Sequence, residues 1–212
     1  SSAPNSATAE PVVSVDPEFA SRDFVDLAFT WNATGCAVDT LGDVWCWGNN
    51  TAGELGVAAL TPRATAARVD IPGTVVEVVG GLAHFCARTS EGPTYCWGYN
   101  ANGQLGNDST MSNHVPQEVA GGHAFSSIRS LYTAVVGLTD STIWSWGNGA
   151  ITPTEVLTGA TRIRAGIDFV YWQDLGGVWR AWGNGTRPVI LGVSRGVAPG
   201  ERLEMIGLPT GT

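Results

Sequence analysis

The sequence predicts an all-β fold of repeated four-stranded blades, a β-propeller, and three observations carry that expectation. A tryptophan-glycine pair recurs at Trp47-Gly48, Trp97-Gly98, Trp146-Gly147 and Trp182-Gly183, at spacings of 50, 49 and 36 residues. A period in this range marks propellers, solenoids and arrays. The thirteen residues ending at each of those glycines align without a gap, as CAVDTLGDVWCWG, CARTSEGPTYCWG, VVGLTDSTIWSWG and YWQDLGGVWRAWG. Apolar, β-favouring segments flank every unit, and no segment shows a helical period with caps.

Each unit reads as a hairpin, a β-rich run on either side of a turn bearing Gly, Asp or Ser. In the first, pairing centred near Leu41 sets residue 36 opposite residue 46. Alternation then puts Cys36, Val38, Val44 and Cys46 on one face and Ala37, Trp45 and Trp47 on the other. Neither face is polar throughout, as expected of a sheet covered on both sides. Two columns read as aromatic in all copies, one holding Trp45, Tyr95, Trp144 and Trp179, the other Trp47, Trp97, Trp146 and Trp182. These seven tryptophans are expected in the core.

Flanking runs complete four strands per repeat, the content of a blade. Blades are expected near 24–71, 75–119, 125–157 and 160–191, with partial blade strands at 11–15 and 202–208. Residues 1–10, rich in Ser, Ala and Pro, read as a flexible leader or tether. The first two units are followed by NTAGELG (Asn50 to Gly56) and NANGQLG (Asn100 to Gly106), which the other two lack. The expected task of this element is a tight turn, because Asn and Gly tolerate positive φ.

These features together resemble the regulator of chromosome condensation repeat, best from Gly80 to Val119, where GGLAHFCA, a Gly-bearing turn, YCWGYNANGQLG and a later Pro-x-x-Val succeed one another. The looser resemblance covers roughly residues 11 to 208. It implies a propeller, usually of seven blades. Seven repeats of this size need roughly 350 residues, against 212 here. The expectation is an incomplete propeller, or one completed by other copies or chains, rather than a small closed ring.

Composition narrows the setting. The formal charge is −8, every base is Arg, and only 14% of residues are charged. A polyanion partner needs a basic face, so no nucleic acid is expected. Cys36, Cys46, Cys86 and Cys96 form two pairs of equal spacing. The same columns lose Cys jointly, to Val135 with Ser145 and to Tyr171 with Ala181. Disulfides Cys36–Cys46 and Cys86–Cys96 are the favoured reading over metal ligands or free thiols. Disulfides imply an oxidising compartment. Asn32, Asn49, Asn107 and Asn184 head glycosylation sequons. The reading is a secreted, periplasmic or cell-surface protein, meeting a membrane only through an N-terminal anchor.

Catalytic signals are thin. No Gly-x-Ser-x-Gly, Walker or His-Glu-x-x-His string occurs. His84 is expected to make a structural hydrogen bond within its blade, while His114 and His123 fall at loops or strand ends. Asp39 and Asp43 flank a turn and are expected to form it. Trp31 and Trp172 lie outside the aromatic columns and are the candidate ligand contacts, although packing between blades competes for both. No enzyme activity, metal or cofactor is expected. The favoured task is protein interaction or scaffolding, including a structural subunit of a surface assembly. The alternatives are nucleotide exchange on a small GTPase, which the resemblance implies, and carbohydrate binding.

Overall fold

The computed structural model describes residues 17–166 and 169–183. The leader, the strands expected at 11–15 and 202–208, the last strand of the fourth blade and the sequon at Asn184 lie outside the described residues.

A short helix α1 (Pro17–Ala20) precedes four antiparallel sheets. Blade 1 comprises β1 (Phe24–Phe29), β2 (Thr34–Asp39), β3 (Val44–Gly48) and β4 (Arg63–Val69). Blade 2 comprises β5 (Val75–Gly80), β6 (His84–Thr89), β7 (Thr94–Gly98) and β8 (Asn113–Glu118). Blade 3 comprises β9 (Ser127–Ser130), β10 (Ala134–Thr139), β11 (Thr142–Gly147) and β12 (Ala150–Thr158). In blade 4, β13 (Ala160–Ala165), β14 (Phe169–Asp174) and β15 (Trp179–Gly183) are described. Strand order within each blade follows chain order. The first strands β1, β5, β9 and β13 pack side by side in sequence, as propeller blades do around their axis.

The hydrophobic cores are the three junctions between blades. The face of blade 1 with Ala28, Cys36, Val38, Val44, Cys46 and Val69 meets Val75, Val78, Phe85, Ala87 and Trp97 of blade 2. Cys86, Cys96 and Val119 of blade 2 meet Phe125, Ile128, Val135 and Trp146 of blade 3. Val136, Leu138 and Ile143 of blade 3 meet Ile163, Val170 and Trp172 of blade 4. Each blade thus has a leading face towards its predecessor and a trailing face towards its successor. Burying one Val, Leu or Ile at such a junction is worth roughly 1.5–3 kcal/mol.

The first hairpin pairs Cys36 with Cys46, Ala37 with Trp45 and Val38 with Val44. Both cysteine pairs are disulfide-bonded, with sulfurs 2.05 and 2.06 Å apart, and both lie on trailing faces inside a junction. The gapless alignment fails in one place, and one column is misread in another. In blade 3 the turn is shorter, with Thr139 pairing Thr142, so Ser145 faces Val136 and not Val135. In blade 4, Arg180 faces Trp172 and Trp179 faces Gln173. Arg180, not Trp179, therefore stands in the Trp45 column, where the gapless alignment itself places it, and Trp179 belongs to the opposite face.

The tryptophan-glycine pair has a steric basis. Gly48, Gly98 and Gly147 have φ of 109°, 99° and 87°. A Cβ there would sit 2.4, 2.5 and 2.4 Å from the carbonyl oxygens of Ala33, Ala83 and Thr133. Only glycine allows both the left-handed conformation and that approach. The companion tryptophans divide by position. Trp97 and Trp146 are fully buried and Trp45 is buried, whereas Trp47, Trp144, Trp179 and Trp182 are half-buried.

Candidate functional site

The two Asn-x-x-Gly-x-Leu-Gly loops do more than turn the chain. In each, the Asn side-chain oxygen accepts the Leu N–H at 2.9 Å, from Leu55 to Asn50 and from Leu105 to Asn100. Glu54 and Gln104 likewise accept from the N–H groups of Ala52 and Asn102. Held this way, the loop reaches over the next blade and clasps its tryptophan. The Trp97 indole donates to the Glu54 carbonyl at 2.8 Å. The Gly56 and Gly106 positions lie so close to the Trp97 and Trp146 rings that a Cβ would collide with them. Leu55 and Leu105 are fully buried in the junctions. Between the two clasps lies a shallow opening of about 250 Å³ lined by Thr51, Ala52, Leu60, Tyr99, Ser112 and His114.

Acidic side chains on the first strands make a second link. Asp26 accepts the Val78 N–H at 2.8 Å, and Glu77 accepts the Ile128 N–H at 3.0 Å. Glu77 also holds Arg88 and Arg129. A third link joins loops at one end of the first strands. The N–H groups of Trp31 and Asn32 donate to the carbonyls of Gly81 and Leu82, each at 3.0 Å, and the Leu82 N–H donates to Tyr132 at 2.8 Å. On this stitched rim the Trp31 ring is 62% exposed and meets the half-open Tyr132 ring edge-on, centroids 6.1 Å apart. A large exposed aromatic pair on a rigid frame is the surface feature most suited to recognition.

The other candidates resolve differently. Trp172 is 4% exposed, within the core between blades 3 and 4; it presents no surface to a ligand. It stands in the column of Ala37, Ala87 and Gly137 and brings its own ring to the junction. Asn32, Asn49 and Asn107 are all half-buried. The Asn32 amide is engaged by Thr51 and the buried Glu54, and Asn49 by Thr51.

His84 is fully buried, and its bond runs between blades, to the Ser130 hydroxyl at 3.1 Å, rather than within its own. Burial without a charged partner pushes its pKa down to about 3, so the ring is neutral. His123 lies against the Trp144 ring, 4.1 Å between centroids, and His114 is exposed on β8. Asp39 accepts from the N–H groups of Leu41 and Asp43 and from the Trp45 indole, and it pairs with Arg22. Burial pushes this carboxyl up, but the Arg22 contact and those donors outweigh it and hold it below the usual range. Asp39 is a turn former, and Arg22 covers the Trp45 ring at 4.6 Å. Among the described residues, no cluster of three or more His, Cys, Asp or Glu could hold a metal. Nor is any described helix long and apolar enough to cross a membrane.

Tyr132 and Leu82 gave no sequence signal, because Trp31 stood alone until the rim brought three loops together. The clasp leucines were visible as a motif, but their target sits in the next repeat.

Two models of the regulator of chromosome condensation repeat match the chain, over residues 91–130 and 75–104. No curated protein matches the sequence. Among solved structures, the fold is similar to Prp20p of Saccharomyces cerevisiae, whose binding properties to Gsp1p and histones were described with it, at a TM-score of 0.70 and 19% identity over 81% of this chain and 51% of that one. It is similar to human WBSCR16 at a TM-score of 0.68 and 20% identity, covering 76% of this chain and 47% of that one. The entire ectodomain of the Physcomitrella patens receptor kinase CR4 matches at a TM-score of 0.54 and 16% identity, covering 77% of this chain and 42% of that one. The chain therefore spans about half the length of these proteins or less. With the blade order, the Trp-Gly hairpins and the clasp loops in place, residues 75–130 are regulator of chromosome condensation repeats, and the described residues have the fold of β-propeller blades.

Proposed function

We propose that this chain is a non-enzymatic protein-interaction module working outside the cytoplasm and binding a protein through the Trp31–Tyr132 ridge. The observation that carries this reading is the exposure of that aromatic pair on loops tied to one another by main-chain hydrogen bonds. Such a surface binds with little ordering cost. Two buried disulfides support an oxidising compartment, and the likeness of the fold to a receptor kinase ectodomain is compatible with it. The neutral, sealed state of His84 supports a structural rather than catalytic role for it.

The test is photo-crosslinking from a benzophenone amino acid at position 31 in the native host, followed by fractionation. Capture of one defined protein in the extracytoplasmic fraction, lost when Tyr132→Ala is added, is the expected result. A cytosolic small GTPase in the crosslink would establish the exchange-factor alternative instead. A glycan-array signal abolished by Trp31→Ala would establish the carbohydrate alternative.

A further inference from the structure

The opening between the two clasps is furnished by residues that a clasp does not need. The second clasp covers Trp146 with Ala101 where the first has Thr51, and beside Asn148 where blade 2 has Tyr99. Its Gly103 lies against the Ala150 and Ile151 main chain, where Gly53 lies against His114. Clasping thus leaves the residue free at three places, and around the opening the chain fills them with a hydroxyl, a phenol and an imidazole. A hydroxyl has two acceptor lone pairs and one donor. Thr51 Oγ1 accepts from the Asn32 and Asn49 amides at 3.2 and 3.3 Å, and Ser112 Oγ accepts from the Asn100 N–H at 3.1 Å. Both are fixed through their acceptor side and keep the proton; among the described residues neither these O–H groups nor the Tyr99 phenol has an acceptor. Asn32 is itself held by the buried Glu54, and a Cβ on Gly53 would lie 2.7 Å from the His114 Cα, so the loop is set firmly against β8. The donors line a preformed site, with Leu60, 55% exposed, as its apolar part.

Charge and size narrow the ligand. The loops at this end of the sheets, 30–33, 49–62, 81–83, 99–112, 131–133 and 148–149, hold no Lys or Arg, and their two carboxylates are the fully buried Glu54 and Asp108, which is not part of the lining. The turn carboxylates collect at the opposite end, at Asp23, Asp43, Asp70, Glu91 and Asp140. A phosphate, carboxylate or amine would find no counter-charge in the opening, and a wholly apolar ligand would strip water from three hydroxyls and leave them unpaired. At about 250 Å³ the opening lies below the roughly 300–1,000 Å³ of sites for drug-sized ligands, and it takes a single small ring. We infer that it is a binding site for one uncharged hexose at the end of a glycan. The O–H groups of Thr51, Ser112 and Tyr99 donate to sugar oxygens, and the C–H face of the pyranose lies on the Tyr99 ring and Leu60. The inference is independent of the Trp31–Tyr132 ridge.

The probes are free glucose, galactose, mannose and N-acetylglucosamine, with glucuronate and glucosamine as charged counterparts, titrated against the full chain by saturation-transfer NMR and calorimetry. At least one neutral sugar should bind saturably, and the charged pair at least about tenfold more weakly than their neutral counterpart. Tyr99→Asn and Thr51→Ala borrow residues that the second clasp tolerates, so the loop keeps its fold. Each should weaken the sugar about tenfold or more, while Trp31→Ala leaves it unchanged. A glycan array carrying the bound sugar at chain ends and at internal positions should respond to the chain ends. The proposal is overturned if no neutral sugar binds in solution or on the array, or if a charged sugar binds as well as the neutral one. It is equally overturned if both substitutions leave the affinity intact in a chain with its two disulfides formed, or if the array responds to internal residues alone. A signal lost in Trp31→Ala but kept in Tyr99→Asn would place the sugar on the ridge and overturn it as well.

Discussion

Blades 1 and 2 differ from blade 3 in how they hold on to their successors. Blades 1 and 2 each carry a buried disulfide on the trailing face, a clasp loop over the next tryptophan and a first-strand carboxylate on the next blade's N–H. Blade 3 has Val136 and Ser145 in place of the cysteines, Ser127 in place of the acid and no clasp. Its junction with blade 4 rests on apolar packing, for which Trp172 and Trp182 supply the rings. The three devices occur together because they share one interface. A tethered junction can bury polar main chain and small residues, whereas an untethered one needs more apolar volume.

The largest expected effect compares two equivalent indoles. Trp97→Ala removes a fully buried, clasped ring and should destabilise by about 3–5 kcal/mol in urea unfolding. Trp47→Ala, at the half-open position, should cost about half as much. Equal losses would show that the clasp adds nothing to burial.

Next comes removal of the tethers. Replacing either cysteine pair by alanines should cost about 2–3 kcal/mol for loops this short. Hydrogen exchange should then accelerate in the altered blade and in its successor, and leave β14 and β15 unchanged. Exchange rising uniformly over all four blades would mean that the stack unfolds as one unit and that the difference between its halves has no energetic meaning.

The last comparison concerns pH. His84 is neutral in the fold, with its pKa pushed down to about 3, while the unfolded chain's histidine titrates near 6.5. The unfolded state therefore binds more protons below that value, and stability is full above pH 6.5 and lost as pH falls towards 3. The loss is about 1.4 kcal/mol per pH unit within that window. Thr34 occupies the His84 position in blade 1, so His84→Thr should flatten the profile between pH 6 and 4. A slope unchanged by the substitution would assign it to carboxylates instead.

The register of the first two hairpins was legible because it depends on local alternation and on turn chemistry. The strands of the first two blades run from Phe24 to Val69 and from Val75 to Glu118. The third hairpin misled by one residue, since a tighter turn at Asp140 and Ser141 leaves no trace when the tryptophans are aligned at the other end. Trp179 misled because an aromatic next to a column looks like a member of it; counted residue by residue, the alignment sets Arg180 level with Trp45, and the pairing of Trp179 with Gln173 agrees. Trp172 was offered to a ligand because nothing local distinguishes a ring that fills a junction from one that meets solvent. The clasp, the carboxylate links and Tyr132 were illegible for one reason: each acts on a residue in another repeat.

The rim that carries Trp31 is tied by N–H and C=O groups alone, at positions 31, 32, 81, 82 and 132. Its stiffness is indifferent to which side chains it wears, and Asn32, Leu82 and Tyr132 already share one place in it with three different chemistries. A new specificity could be written into this edge by substitution without loosening the frame that displays it.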